Sequence, residues 1–357
     1  MHRAFTAVVV LLVAGCDDTG SGVGATSSST GGSTGGSTVS STSASSSSGG
    51  VMPGGTVTEV GTCDAGNIAG TQCTQLAVQC PGVAELEVGA RVTQPAGAVR
   101  GVITVQSGGG GNFFQEDFDP RSHDFVQELV TAGFVVVSRS WAGVGWFEGS
   151  AGVRASSCRG ATLLGWIDQH YRDASKPFCA MGFSGGAIEL SYALARWDAA
   201  DRLDGALIAA GPSMSQLDLV CPSVAPATWL NRDCGALAAK YGMSCGASLF
   251  CTLQGAAGVV DSAWTPAHPC TSAAEANVAD LSEDSIVASD SRMSYPNTKV
   301  RFVSGALDCS ATVLLYVDAI TTDRSITLAP ATAHDVLATD EGLAAMREAV
   351  KSSCASY

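Results

Sequence analysis

The residues with the clearest capacity for chemistry are those of Gly182-Phe-Ser184-Gly185-Gly186. A serine hydroxyl is a weak nucleophile until a neighbouring base takes its proton. It serves acyl transfer well where the chain turns sharply from strand to helix and lifts the side chain above the sheet. The flanking sequence suits such a turn. Pro177-Phe-Cys-Ala-Met181 reads as a short buried strand, and Gly186 to Arg196 as an apolar-periodic helix. Gly182 and Gly186 leave room for backbone that a side chain would block. With 42 glycines in 357 residues, further matches to G-x-S-x-G are expected by chance, and two exist. Ser33 lies in a serine-rich tract with no apolar run beside it. Ser244 follows a helical stretch that ends at Gly242, the reverse of strand then helix. Context therefore selects Ser184.

The elements that must position this serine alternate along the chain from about residue 56 to its end, a length near the upper limit for one core. Candidate strands are Glu85–Val92, Val99–Val105, Phe134–Ser138, Phe178–Met181, Ala206–Ala210, Lys299–Val303 and Ser325–Leu328. Candidate helices are Ser122–Ala132, Ser156–Tyr171, Gly186–Arg196, Ala311–Ile320 and Glu341–Ser352. Continuous apolar runs such as Phe134-Val-Val-Val137 suit strands covered on both faces, so the pattern predicts a doubly wound, mostly parallel α/β sheet. About residues 211–297 interrupt the alternation and hold Cys221, Cys234, Cys245, Cys251 and Cys270.

Order and spacing resemble the α/β-hydrolase superfamily of esterases and lipases over nearly the whole body. The resemblance implies a nucleophile, an acid and a histidine in that chain order, with Ser184 as nucleophile. His334 lies in the loop between the last strand and the last helix, the family's position for the base, whereas His268 sits among turn signals in the insertion. Asp308 follows a strand, where a carboxylate can hold the imidazole tautomer. Asp218 and Asp335 are the alternatives. The oxyanion donors implied are the Gly185 N–H and one from Gln106-Ser-Gly-Gly-Gly-Gly-Asn112, which resembles the lipase HGGG segment with Ser107 in place of histidine. Gly109 is the first choice there and Gly110 the second. The insertion matches the place where the family often carries a lid. Phe113, Phe114, Trp141, Trp146 and Phe147 are candidate walls of a substrate cleft.

The implied activity is hydrolysis of a carboxylic ester, small or polymeric, through an acyl-enzyme, with no cofactor and no metal. A serine peptidase on the same fold is the alternative within catalysis, and a catalytically idle surface-binding protein is the alternative outside it. Gly143-Val-Gly145-Trp-Phe-Glu-Gly149 is a poor dinucleotide loop, because Trp146 and Phe147 would crowd a pyrophosphate. The glycine tract lacks the Gly-Lys-Ser/Thr of a phosphate loop. A net charge of −14 without a basic stripe argues against nucleic acid as a partner.

The N-terminus carries an address. Residues 1–15 read as a signal peptide whose apolar run is too short to span a bilayer. Val13-Ala-Gly-Cys16 resembles a bacterial lipobox, which implies that Cys16 becomes the lipidated first residue of an extracytoplasmic, membrane-held protein. Residues 16–55 are a Ser/Thr/Gly-rich tether with almost nothing to bury. Of 13 cysteines, twelve then remain for an oxidising compartment, where they read as a disulfide inventory. Cys309, beside Asp308, is expected to be bonded, with Cys354 as the suggested partner.

Overall fold

The computed structural model describes residues 54–225, 234–242, 253–308 and 312–354. The signal peptide, Cys16, nearly all of the tether, Ser33, Ser244, Cys245, Cys251 and Cys309 lie outside the described residues. Nine strands are present among those described: β1 (Thr56–Thr62), β2 (Thr71–Cys80), β3 (Val83–Thr93), β4 (Gly101–Gln106), β5 (Phe134–Trp141), β6 (Phe178–Phe183), β7 (Gly205–Ala209), β8 (Lys299–Gly305) and β9 (Arg324–Ala329). The helices are α1 (Pro120–Thr131), α2 (Val153–Ser156), α3 (Cys158–Tyr171), α4 (Gly185–Arg196), α5 (Leu217–Val220), α6 (Cys234–Tyr241), α7 (Leu253–Ala263), α8 (Val278–Glu283), α9 (Val313–Ala319) and α10 (Asp340–Ser353).

All nine strands form one sheet in the order β1-β2-β3-β5-β4-β6-β7-β8-β9. β1, β2, β3 and β5 pair antiparallel in succession, and the strands from β5 to β9 run parallel. The central parallel strands β4, β5, β6 and β7 are buried on both faces because both are covered. Val102, Val135, Ala180 and Ile208 face one core with Leu164 and Ile167 of α3 and Leu190 and Leu194 of α4. Their neighbours Ile103, Val136, Met181 and Leu207 face the other core with Phe125 and Leu129 of α1 and Met346 and Val350 of α10. This is the doubly wound, mostly parallel sheet expected from the alternation. α1 begins where its sequence says it should, with Pro120 in the first turn and the Asp119 side chain accepting the Ser122 N–H at 2.9 Å.

The chain leaves β4 toward β5 on one side and later places β6 on the other, so the loops after β4 and β6 meet at a topological switch point. Ligands of open α/β sheets bind in that crevice, at the carboxyl ends of the strands.

Three expectations are corrected or extended. β1 and β2 precede the first candidate strand. β1 is an almost wholly exposed edge strand, so no apolar alternation marks it. Cys354 bonds Cys179 rather than Cys309, because the end of α10 lies against the starts of the central strands; a side chain on Gly205 would meet Ser353 at 2.8 Å. The other disulfides among the described residues are Cys63–Cys73, Cys80–Cys158 and Cys221–Cys270. Finally, the described part of the insertion is fastened to the loop before α2. Buried Asp284 accepts the Val153 and Arg154 N–H groups at 2.7 and 2.8 Å, and Gly149 and Gly152 donate to Ser262 and Ala263. Among the described residues no helix is long and apolar enough to cross a membrane.

Candidate active site

The turn from β6 into α4 holds Ser184 at φ 49° and ψ −110°, left-handed backbone that a side chain adopts only under strain. Its N–H is fixed by Ala209 O at 2.8 Å. The surrounding glycines are required by contact. An added Cβ at Gly182 would lie 2.3 Å from Gly186 O, one at Gly186 2.4 Å from Gln106 O, and one at Gly185 1.7 Å from Gly109 O. The loop after β4 therefore rests directly on the first turn of the serine's helix.

β8 and β9 are neighbours, so the loops that leave them run side by side. Leu307 N–H donates to Thr332 O at 2.9 Å, and a Cβ on Gly305 would meet Ala333 O at 2.1 Å. These loops bring Asp308 and His334 together with Ser184. His334 Nδ1 lies 3.1 Å from Asp308 Oδ2, and His334 Nε2 lies 2.8 Å from Ser184 Oγ. A carboxylate can only accept, so Nδ1 carries the proton and Nε2 is left to accept from the serine. Asp308 is buried at 4% side-chain exposure, whereas the His334 side chain is half exposed. The hydrogen bond to Asp308 raises the His334 pKa above its ordinary value, and burial opposes it more weakly.

The other acidic candidates are engaged elsewhere. Asp218 accepts from Gln216 at 3.3 Å, and Asp335 accepts the Leu337 N–H at 3.0 Å. His268 is exposed in the insertion, and its backbone N–H donates to Glu275.

A cavity of about 340 Å³ opens at Ser184 and His334, lined by Gly108, Gly109, Phe113, Phe118, Phe183 and Val336 among others. Its walls are largely apolar, with Phe113 and Phe118 stacked at 5.6 Å between ring centroids. Gly109 lines it. Gly110 is turned away, with its carbonyl accepting the Trp146 N–H at 3.1 Å. Of the five aromatic candidates for the cleft only Phe113 belongs. Phe114 lies under the Arg91 guanidinium at 3.8 Å, while Trp141, Trp146 and Phe147 are buried in the core. Gly108, Phe118 and Phe183 are lining residues that the sequence reading missed, although Phe183 stands inside the serine motif itself. None of the described residues of 211–297 lines this cavity. Among the described residues no group of His, Cys, Asp or Glu could hold a metal ion.

No family model matches the chain, and no curated protein does. Among solved structures it is similar to a thermostable carboxyl esterase from Bacillus coagulans at 15% identity, covering 78% of this chain and 97% of that one with a TM-score of 0.45. It is similar to brefeldin A esterase, a bacterial homologue of human hormone sensitive lipase, at 14% identity, with 82% and 79% covered and a TM-score of 0.49. A thermostable esterase from Pseudomonas putida is 14% identical, with 82% and 85% covered and a TM-score of 0.45. Likeness at this level carries no function. The strand order and the strained serine between β6 and α4 decide the architecture. The fold is that of the α/β-hydrolases. Within it the serine follows a central parallel strand, and Asp308 and His334 follow the last two strands of the sheet.

Proposed function

We propose that the protein is a serine hydrolase that cleaves carboxylic esters by acyl transfer to Ser184. The observation that carries the reading is His334, bonded to Ser184 Oγ on one side and Asp308 on the other at the mouth of an apolar cavity. Ser184 Oγ adds to the ester carbonyl as His334 Nε2 takes its proton, and buried Asp308 stabilises the imidazolium. The developing oxyanion is met by the N–H groups of Gly185 and Gly109, each such donor lowering the barrier by about 2.7–4 kcal/mol. His334 then returns the proton to the departing alcohol, and water enters by the same steps in reverse order to free Ser184. The enzyme needs no cofactor for this sequence, since nucleophile, base and oxyanion donors all come from the chain.

The test is a panel of chromogenic esters and peptide anilides on the purified body, beside Ser184→Ala. Ester turnover that vanishes in Ser184→Ala, with the anilides untouched, is the expected result. Anilide cleavage exceeding ester cleavage would make the protein a peptidase instead, and ester turnover that survives in Ser184→Ala would remove Ser184 from the mechanism.

We further propose that the protein is held at an extracytoplasmic membrane surface through lipid on Cys16, with residues 16–55 as the tether. The support is the short apolar leader that ends in Val13-Ala-Gly-Cys16. Cys16→Ala is expected to shift the protein out of the detergent phase on partitioning; an unchanged partition would sink the proposal.

A further inference from the structure

One pair of buried charges lies between the two parts of the site that must agree in position. Arg139, near the end of β5, is 2% exposed, and Glu189, on α4, is fully buried. The guanidinium Nη2 is bonded to the Glu189 carboxylate, which also accepts the Trp141 Nε1–H at 3.1 Å. From the same guanidinium, Nη1 donates to Gly111 O at 3.0 Å and approaches Ser107 Oγ at 3.4 Å. Ser107 Oγ in turn donates to Phe113 O at 2.5 Å. Gly111 is held at φ 73°, and a Cβ added there would lie 2.1 Å from Arg139 Nη1. The segment that carries Gly109 is therefore wrapped around the guanidinium, while Glu189 anchors the same cation to the helix that begins at Ser184.

We infer that Arg139 and Glu189 are positioning residues that set the Gly108–Gly111 loop against the first turn of α4, and with it the aim of the Gly109 N–H at the oxyanion. The inference rests on the acyl-transfer reading above. Net stability is a weak reason to keep such a pair, because replacing a buried ion pair by apolar side chains of similar volume is often neutral or stabilising. Geometry is a stronger one. A planar guanidinium offers several donors in a fixed fork, so one group can hold a carboxylate and a loop carbonyl at a set separation. A donor displaced slightly from the oxyanion loses most of its contribution to the transition state while ground-state binding is little changed.

The experiment compares wild type, the double variant Arg139→Met/Glu189→Met and Arg139→Lys. It measures melting temperature, kcat and KM on one short chromogenic ester, and inhibition by a trifluoromethyl ketone, whose adduct with Ser184 bears the same oxyanion. In the double variant the melting temperature is expected to stay near that of wild type. Its kcat should fall by about 10²–10³-fold, the range for loss of one oxyanion donor. KM should hold within about threefold, ketone affinity should weaken in step with kcat/KM, and the pH midpoint set by His334 should not move. A double variant that folds and keeps kcat and ketone affinity overturns the inference. If it does not fold, Arg139→Lys decides, because it keeps the charge but not the fork. A loss of at least tenfold in kcat supports the inference, and full activity overturns it. Failure of the underlying reading has a different signature: wild type itself neither turns over the ester nor binds the ketone.

Discussion

Around Ser184 the backbone is fixed by contacts too close for any added atom, whereas the His334 side chain is held by hydrogen bonds at a place that water reaches. At Gly182, Gly185 and Gly186 an added Cβ would lie between 1.7 and 2.4 Å from a carbonyl oxygen. At His334 the side chain is half exposed, and its orientation rests on its bonds to Asp308 and Ser184 and on turns such as Asp335 to Leu337. The nucleophile side is thus sterically determined and insensitive to solution conditions. The base side depends on protonation and hydrogen bonding. Substitutions that add volume should damage the first, and those that preserve shape but change proton affinity should damage the second.

The sharpest break in this comparison is Ser184→Ala, which is expected to remove ester hydrolysis while far-UV circular dichroism and melting temperature remain those of wild type. Next comes Asp308→Asn. It keeps the shape but favours the wrong imidazole tautomer, and turnover should fall by about 10⁴-fold. Asp218→Asn, which alters a carboxylate bonded to Gln216, should leave turnover within a few-fold; the reverse ranking in parallel assays would move the acid to Asp218. On the steric side, Gly185→Ala is expected to lower kcat by at least about 10²-fold, since the Cβ must push Gly109 out of place. It should also lower the melting temperature, a loss that Asp308→Asn should not share.

A gentler probe is pH. His334 must be neutral to accept the serine proton, so kcat/KM should rise with pH as its imidazolium deprotonates. The midpoint is expected above about 6.5, the unperturbed histidine value, because the Asp308 hydrogen bond favours the charged form. In Asp308→Asn the midpoint should fall, and an unmoved midpoint in the residual activity would separate the titration from His334. The smallest expected effect is that of Phe118→Ala. It opens one wall of the cavity and should change relative kcat/KM by several-fold in favour of bulkier esters, with kcat on the smallest ester nearly constant.

How much of this is legible in the sequence depends on whether the signal is local. The strand, turn and helix of Pro177 to Arg196 are a local pattern, and so is the apolar stretch Phe302-Val303 in the strand before Asp308; the edge strand before His334 is mostly exposed and shows only the alternation of Ile326 and Leu328 with polar residues. The edge strand β1 offers nothing comparable, since its side chains face water. The walls of the cavity are tertiary facts. Trp146 and Phe147 look as suited to a cleft as Phe113 does, yet the bond from Trp146 N–H to Gly110 O draws that turn into the core and leaves Phe118 at the cavity. The same bond separates Gly109 from Gly110, two residues that composition cannot tell apart. Arg139 and Glu189 stand 50 residues apart on different elements, and neither has a neighbour that predicts the other. The bond from Cys179 to Cys354 spans 175 residues and follows from the closeness of α10 to the central strands rather than from any spacing of cysteines.

That disulfide also decides what a protease could achieve. Cys179 precedes Ser184, and Cys354 follows both Asp308 and His334. A chain cleaved once anywhere between Ser184 and Asp308 would therefore yield one piece carrying the serine and another carrying the acid and the histidine, joined covalently. Tethered pieces meet at high effective concentration, so reassembly becomes an intramolecular event rather than a bimolecular one. Two bands on a reducing gel and one on a non-reducing gel would mark the clipped species, and its activity should be lost on reduction rather than on cleavage.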